Sequence, residues 1–222
     1  MNGNIMNYFT VALLWSAYLA LHSFMISITV TGFLKRILGD RFRFYRLFFN
    51  LVAAATLVPV LMYTGRLKEP EFFTWDGYLA ILKWTIFTGG ILLFGAGSRH
   101  YSFLRFLGIR QIREGSAHSL MNWSGRLDSS GVLGLIRHPY YSGVILLFWS
   151  SNLDVTQLIV NIVVTVYVVI GTLLEERKLL IEFGERYQEY QNRVSMLLPW
   201  KWLKKIFGLK DGHGLVSRQS EH

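Results

Sequence analysis

Two polar clusters stand out between long apolar stretches, because each combines residue types that can bind or transfer charge. The first runs from Arg137 to Gly143, with the sequence Arg-His-Pro-Tyr-Tyr-Ser-Gly. Proline is favoured in the first turn of a helix, and the free N–H groups of that turn can bind a carboxylate. The alternative interpretation of these residues is an ordinary helix start that arginine and tyrosine anchor at a membrane interface.

The second cluster, Glu175 and Glu176, lies where another apolar stretch ends. A carboxylate at membrane depth is costly and tends to be functional, although a solvated helix end whose charges cancel is the alternative. Nearby, Gly184-x-x-Tyr187-x-x-Tyr190 provides two aromatic rings. They are expected to pack their helix onto the rest of the protein, which does not exclude a role in a site.

Three further features predict structure rather than chemistry. His22 stands among apolar residues, where a histidine is more often packed and hydrogen-bonded than catalytic. Gly95-Ala96-Gly97 follows no strand and lacks the rest of a nucleotide fingerprint, so we expect it to permit close helix packing. The chain has no cysteine, which excludes disulfides, thiolate ligands and thiol nucleophiles. We predict no metal site.

The composition is that of a membrane protein. Of 222 residues, 52% are hydrophobic and 17% charged, whereas soluble domains average about 25% charged residues. Four apolar stretches approach the roughly 20 residues that a bilayer requires: Tyr8–Ile28, Phe44–Tyr63, Tyr78–Gly97 and Val155–Leu174. The first is expected to be a retained helix, not a signal peptide. A fifth stretch, Tyr140–Asn152, is shorter. Two interpretations are open: it crosses the membrane together with its flanking residues, or it forms a tight hairpin with the next helix.

The sequence therefore predicts an all-α integral membrane protein with about five transmembrane helices. Basic residues are in excess in the predicted loops Thr31–Arg46 and Ser98–His138, and acidic ones in Thr64–Gly77. Because basic loops stay in the cytoplasm, the N-terminus is expected outside and the C-terminus inside. The net charge of +9 thus indicates a lipid bilayer as partner, not nucleic acid.

A charged amphipathic helix is predicted over Glu175–Val194, on the cytoplasmic side. Its apolar face recurs at helical spacing and consists of Leu179, Phe183, Tyr187, Tyr190 and Val194. We divide the chain into scaffold helices 1–3 (residues 1–98), a catalytic region with a loop, a helix hairpin and this amphipathic helix (99–200), and a basic tail expected to be disordered (201–222).

The clusters occur in an order that resembles the isoprenylcysteine carboxyl methyltransferase superfamily of membrane methyltransferases. Arg-His-Pro-x-Tyr-x-Gly is followed by Glu-Glu, by Phe-Gly-x-x-Tyr-x-x-Tyr and by Leu-Pro, all within residues 130–200. Ile170–Arg177 and Met196–Pro199 look most like the bacterial methanethiol S-methyltransferase and NnrU-type branches. Phe106–Gln111 and Leu21–Ser23 also resemble these branches. This resemblance implies a multi-pass protein of the bacterial inner membrane.

The resemblance also implies binding of S-adenosylmethionine at the cytoplasmic face, without a Rossmann sheet. The residues it assigns to the cofactor are His138, Pro139, Tyr140, Tyr141, Glu175, Gln111 and Tyr187. Arg137 and His138 are the candidate catalytic residues. Arg137 is expected to pair with the cofactor's carboxylate, and His138 to accept a proton from the methyl acceptor.

Two departures bear on the acceptor. An arginine that engages the substrate carboxylate in the prenylcysteine enzymes corresponds to Gly171 here, and a tyrosine corresponds to Leu133. A prenylcysteine carboxylate is therefore a doubtful acceptor, and a small or lipophilic thiol is the first expectation. A phospholipid amine or an isoprenoid-type carboxylate is the next candidate for the methyl acceptor. A transporter or a non-catalytic membrane scaffold is the alternative from another class.

Overall fold

The structure is a computed structural model that describes residues 2–67, 69–99 and 129–208 and the single positions 109, 112 and 127. We label the α-helices of the three described ranges in chain order. They are α1 (Asn2–Ile26), α2 (Ile28–Leu38), α3 (Tyr45–Arg66), α4 (Leu79–Arg99), α5 (Pro139–Trp149), α6 (Val155–Phe183), α7 (Glu185–Arg193) and α8 (Trp200–Ile206). Short 3₁₀ helices cover Gly39–Phe44 and Gly131–Gly134. Within the described ranges, β-structure is limited to isolated bridges.

Four helical segments of the described residues are long and apolar enough to cross a membrane: Asn4–Ile26, Ile28–Arg66, Leu79–Ser98 and Val155–Phe183. Each contains most or all of one of the four long stretches predicted from the sequence, so the all-α, multi-pass membrane architecture is confirmed. The predicted fifth span is α5, which has 11 residues. Such a helix rises about 16 Å, roughly half of the hydrocarbon core. Helix length alone therefore supports four spans, and the count of five crossings stays a prediction.

The short helix α5 lies between α4 and α6. It runs antiparallel to α4, since Tyr140 lies beside Gly97 at one end and Asn152 accepts a hydrogen bond from Lys83 Nζ (3.3 Å) at the other. A tight turn leads into α6, whose first N–H groups are capped by Asp154: its Oδ1 accepts from Gln157 N (2.6 Å). Of the two arrangements that the sequence left open, the hairpin with α6 is the one present.

Glycines permit the close contact of α4 with α5. A Cβ added at Gly97 would lie 2.8 Å from the backbone nitrogen of Tyr140, and one at Gly143 would lie 2.7 Å from the carbonyl oxygen of Gly90. These distances are shorter than any real Cβ contact, so the helices meet backbone to backbone. Gly95 has nothing within 4 Å. The packing role predicted for the Gly-Ala-Gly run thus belongs to Gly97.

The apolar core lies where α1, α3 and α6 meet. Its buried members are aliphatic apart from one tryptophan, and they are Val11, Trp15, Leu19, Val60, Val160, Val164 and Val168. Trp15 Nε1 donates to Thr64 Oγ1 (3.1 Å), which links α1 to α3. Large apolar side chains such as Ile81 and Leu92 are exposed, as expected for surfaces that face lipid.

Three expectations need correction. The predicted loop Thr31–Arg46 is helical, because Ser27 Oγ caps α2 by accepting from Val30 N (3.3 Å) and the first break falls at Gly39. The helix predicted over Glu175–Val194 is interrupted at Gly184, whose φ of 57° ends α6 and starts α7.

Part of the predicted disordered tail is also ordered: α8 covers Trp200–Ile206, and residues 209–222 lie outside the described ranges. The division into three regions itself stays a prediction.

Candidate active site

The start of α5 is fixed by backbone hydrogen bonds to a segment that follows α7. Arg137 N donates to the carbonyl of Ser195 (2.8 Å), and His138 N donates to that of Met196 (3.1 Å). Ile136 and Ser195 form a parallel bridge at the same place. Two motifs more than fifty residues apart in the sequence therefore meet, and the segment around Met196 holds the backbone from which the His138 side chain projects.

Arg137 forms a bidentate ion pair with Glu176 across α5 and α6. Nε lies 2.6 Å from Oε1, and Nη2 lies 2.9 Å from Oε2, with only 7% and 10% of the two side chains exposed. The Nη1 group donates to the carbonyls of Gln191 (3.1 Å) and Val194. These four hydrogen bonds occupy most of the five N–H donors of a guanidinium.

Glu176 is surrounded by donors from two segments of the chain, the start of α5 and α7. His138 Nε2 lies 3.1 Å from Oε1, and the Tyr187 hydroxyl donates to the same oxygen (3.2 Å). Gln191 Nε2 donates to Oε2 (2.9 Å). Burial and the Glu176 charge raise the pKa of Tyr187 above its ordinary value, so this hydroxyl keeps its proton. The carboxylate of Glu176 is thus saturated by the protein itself.

Glu175 is in the opposite situation. Its side chain is 20% exposed, yet its Oε2 is buried and accepts no hydrogen bond from any described residue. His138 Nδ1 lies 3.8 Å from that oxygen, beyond hydrogen-bond distance. A buried carboxylate oxygen without a donor is costly. A donor or cationic group placed beside Glu175 and His138 would complete this oxygen.

Tyr140 and Tyr141 point to different neighbours. The Tyr141 ring stacks on His138 with centroids 5.7 Å apart, and it packs against the apolar core. The Tyr140 ring instead packs on Phe94 of α4, with centroids 4.4 Å apart. Of this pair, Tyr141 is the one beside the Glu175–His138 gap.

The remaining predicted residues are distributed as follows. Pro139 is buried at the first position of α5. Tyr187 is 1% exposed and faces Glu176, not Glu175. Tyr190 is also buried, and its hydroxyl donates to the Leu133 carbonyl (2.6 Å). Gln111 lies outside the described residues. The structure thus brings together His138, Tyr141 and Glu175. Arg137 and Tyr187 contact Glu176, which lies at the Nε2 edge of the His138 ring.

Glu176 was not among the predicted site residues, although the sequence carries a signal for it. It extends a row of buried positions spaced four apart on α6, namely Val160, Val164, Val168 and Thr172. A residue spaced four from the last of these lies on the same helix face. Glu175 ends a parallel row of residues that are only partly buried, so the burial of the neighbouring row, and not the spacing alone, distinguishes Glu176.

The histidine of α1 lies elsewhere. His22 Nδ1 is buried and has no hydrogen-bond partner among the described residues, and its ring lies 4.9 Å from that of Phe49. It belongs to the contact between α1 and α3. No group of three or more metal-ligating side chains is found in the part of the chain that the structure describes.

Comparison with known proteins points to one class of membrane enzyme. No family model matches the chain, and no solved structure does. Curated relatives do match, and they include several bacterial proteins named methanethiol S-methyltransferase. One from Bradyrhizobium diazoefficiens is 43% identical over 67 residues, or 30% of this chain and 24% of the relative. One from Pseudomonas deceptionensis is 44% identical over 66 residues, or 29% and 25% of the two chains.

A longer match, to the Mycobacterium tuberculosis methanethiol S-methyltransferase, is 30% identical over 128 residues, or 57% of this chain and 46% of the relative. The chain therefore spans between a quarter and a half of the length of these relatives. Homologues named methanethiol S-methyltransferase confirm the branch that the motifs indicated.

Proposed function

We propose that this chain is an integral membrane methyltransferase that uses S-adenosylmethionine to methylate a small thiol at the cytoplasmic face of a bacterial inner membrane. The observation that carries the proposal is the buried, unpartnered Oε2 of Glu175 beside His138, at the start of α5. Relatives named for methylating methanethiol give the reaction class.

The residues around this gap suit the cofactor. S-adenosylmethionine supplies, when bound, a methyl group already activated on a sulfonium. Glu175 would hold its ammonium or a ribose hydroxyl, because both donate hydrogen bonds to a carboxylate. The N–H groups of the first turn of α5 would face its carboxylate. The Tyr141 ring, beside His138, would contact the sulfonium through a cation–π interaction.

Arg137 was assigned to the cofactor's carboxylate from the sequence. In the structure its guanidinium already makes four hydrogen bonds within the protein. The assignment stays a prediction, and the α5 N–H groups are the alternative partner for that carboxylate.

The charge around the gap favours a thiol over a carboxylate as methyl acceptor. The charge of Arg137 is matched by Glu176, whereas Glu175 Oε2 has no hydrogen-bond partner among the described residues. An anionic acceptor would be repelled, whereas a neutral thiol would not. Gly171, one turn before Glu175, has nothing within 4 Å of its Cβ position and offers no side chain to grip a carboxylate. The protein's remaining tasks are to align acceptor and methyl group and to exclude water.

Calorimetry of the detergent-purified protein tests the cofactor site. Glu175→Gln keeps the size of the side chain and removes its charge, so S-adenosylmethionine binding should weaken by about 1–3 kcal/mol, the scale of a hydrogen bond to a charged group. Glu185→Gln is the matched control, because Glu185 is exposed on α7 and should bind as the wild type does.

Transfer of a labelled methyl group tests the acceptor. Methanethiol and ethanethiol should be methylated, and a farnesylcysteine analogue should not. A folded wild-type protein that binds no S-adenosylmethionine would refute the methyltransferase function and favour a transporter or scaffold. Robust methylation of the farnesylcysteine carboxylate would refute the thiol assignment alone.

A further inference from the structure

We infer that Glu176 and Arg137 are positioning residues that hold the imidazole of His138 as one tautomer. In that tautomer the proton is on Nε2, and the lone pair of Nδ1 faces Glu175 and the ligand. The chemical consequence of this arrangement rests on the proposed function. The tautomer itself rests only on contacts within the chain.

The tautomer follows from what Glu176 can and cannot do. Its Oε1 is 2.6 Å from Arg137 Nε and 3.1 Å from His138 Nε2. A carboxylate held bidentately by a guanidinium is ionised and can only accept hydrogen bonds. The Nε2 atom must therefore donate, and in a neutral imidazole the other nitrogen is then an acceptor.

The guanidinium of Arg137 makes this orientation possible because it compensates the buried charge of Glu176. A buried carboxylate facing His138 alone would be strongly destabilising, because its desolvation would be uncompensated. The guanidinium cancels that charge, and Tyr187 and Gln191 fill further lone pairs of Glu176. The result is a neutral, fully hydrogen-bonded unit that fixes the ring plane and the proton of His138.

The free side of the imidazole determines which groups fit next to it. His138 Nδ1 and Glu175 Oε2 lie 3.8 Å apart, and two acceptors do not bind each other. An ammonium would donate to both acceptors, and a thiol or a hydroxyl would donate to one of them. An acceptor-only group, such as a carboxylate, would not. The Arg137–Glu176 pair is thus a determinant of specificity that acts through His138.

For a thiol, the same arrangement defines where the proton goes. The S–H bond breaks, and the proton forms an N–H bond at Nδ1 of His138. The sulfur's electron pair forms the bond to the methyl carbon, and the methyl donor's sulfur keeps the pair of the bond that breaks. The imidazolium produced lies between the carboxylates of Glu175 and Glu176, which stabilise it as a carboxylate stabilises the histidine of a catalytic triad.

Nitrogen NMR of ¹⁵N-histidine-labelled protein in micelles tests the inference without any ligand. The chain has six histidines, and a His138→Gln variant identifies the signals of His138 by difference. In the neutral ring, reached by raising the pH, we expect the proton on Nε2. The groups around this ring are Arg137, Tyr141, Glu175, Glu176 and Tyr187. A neutral ring with its proton on Nδ1 would overturn the inference.

Variants separate positioning from simple packing. Glu176→Gln presents an amide that can donate to Nε2, so the ring should become a mixture of tautomers. Tyr187→Phe removes another donor to the same Oε1 and should leave the tautomer unchanged. If Glu176→Gln does not fold, the double variant Arg137→Met with Glu176→Gln removes the buried cation as well, and the same mixture is expected. A single Nε2–H tautomer in a folded Gln variant would contradict the role of Glu176.

Kinetics distinguishes this inference from the proposed function. Glu176→Gln should reduce kcat for a small thiol more than tenfold and change the Kd for S-adenosylmethionine less than threefold, whereas Glu175→Gln should weaken cofactor binding. Absence of cofactor binding in the wild type, together with the expected tautomer, would refute the function and leave the positioning role standing. An unchanged kcat in Glu176→Gln would refute the positioning role and leave the function standing.

Discussion

At the scale of single residues, Glu175 and Glu176 are neighbours in the chain with opposite surroundings. Consecutive residues of an α-helix point about 100° apart. Glu176 consequently faces Arg137 and Tyr187 of α7, where both its oxygens accept hydrogen bonds. Glu175 has one buried oxygen without a donor among the described residues. Glu176 therefore has a structural role, whereas Glu175 is the carboxylate that we propose to bind the ligand.

Loss of the guanidinium should be among the most destabilising changes at this place. Arg137→Met keeps much of the side-chain volume but leaves Glu176 buried without its cation, which should cost about 3–5 kcal/mol. Thermal unfolding in detergent, followed by circular dichroism, measures this. Arg186→Met is the control, because Arg186 is exposed on α7, and it should change stability little. A loss of similar size in both variants would contradict the special role of the buried pair.

The sequence located these residues without resolving their roles. Residue types and order predict His138, Glu175 and Arg137 as members of one site, and the structure places them close to the Glu175–Glu176 pair. Whether Arg137 faces a ligand or a carboxylate of the protein depends on where α7 and the segment around Met196 pack, and neither hydropathy nor local spacing reports that. The spacing of Glu176 from the buried valines of α6 was the one local signal that could have assigned it correctly.

At the scale of helices, predictions that depend on local composition were the accurate ones. The long apolar stretches coincide with the helices that can span, because the length of an apolar run is a property of the run itself. The basic segment after α1 was taken for a loop because of its charge, yet α2 places Ile28, Phe33 and Ile37 on its exposed surface and carries Lys35 near its end. Apolar and basic residues together are typical of a helix that lies at a membrane interface.

The contact between α4 and α5 is the element on which the site depends most, because α5 carries His138 at its start. Gly97→Val should force these helices apart, since its Cβ would lie 2.8 Å from Tyr140 N. Overpacking of this kind costs about 1–3 kcal/mol, or more where only backbone can move. Gly95→Val is the matched control on the same helix, with nothing within 4 Å of its Cβ.

Both variants can be measured by thermal unfolding and by S-adenosylmethionine binding. Gly97→Val should lose stability and binding together, because the displaced α5 start carries the residues that face the ligand. Gly95→Val should retain both properties. Equal behaviour of the two valine variants would show that the glycine contact does not position the site.

At the scale of the whole molecule, charge separates the two ends of the helix bundle. Tyr45 OH donates to the Met25 carbonyl (2.7 Å), so the end of α1 and the start of α3 lie at one end, with basic α2 between them. At the other end, Asn152 Nδ2 donates to Glu71 Oε2 (2.9 Å), which places the acidic segment before α4 beside the α5–α6 turn. The site lies at the basic end.

This separation predicts the orientation of the protein, because basic ends are retained in the cytoplasm. The chain has no cysteine, so single cysteines can be introduced without background. Tyr78 is 93% exposed beside the start of α4, and Tyr78→Cys should react with a membrane-impermeant maleimide added to intact cells. Gln188 is exposed on α7, near the site, and Gln188→Cys should react only after the membrane is opened. The reverse pattern would place His138 and Glu175 outside the cell, where S-adenosylmethionine is not supplied, and would refute the proposed cytoplasmic reaction even if the purified protein bound the cofactor.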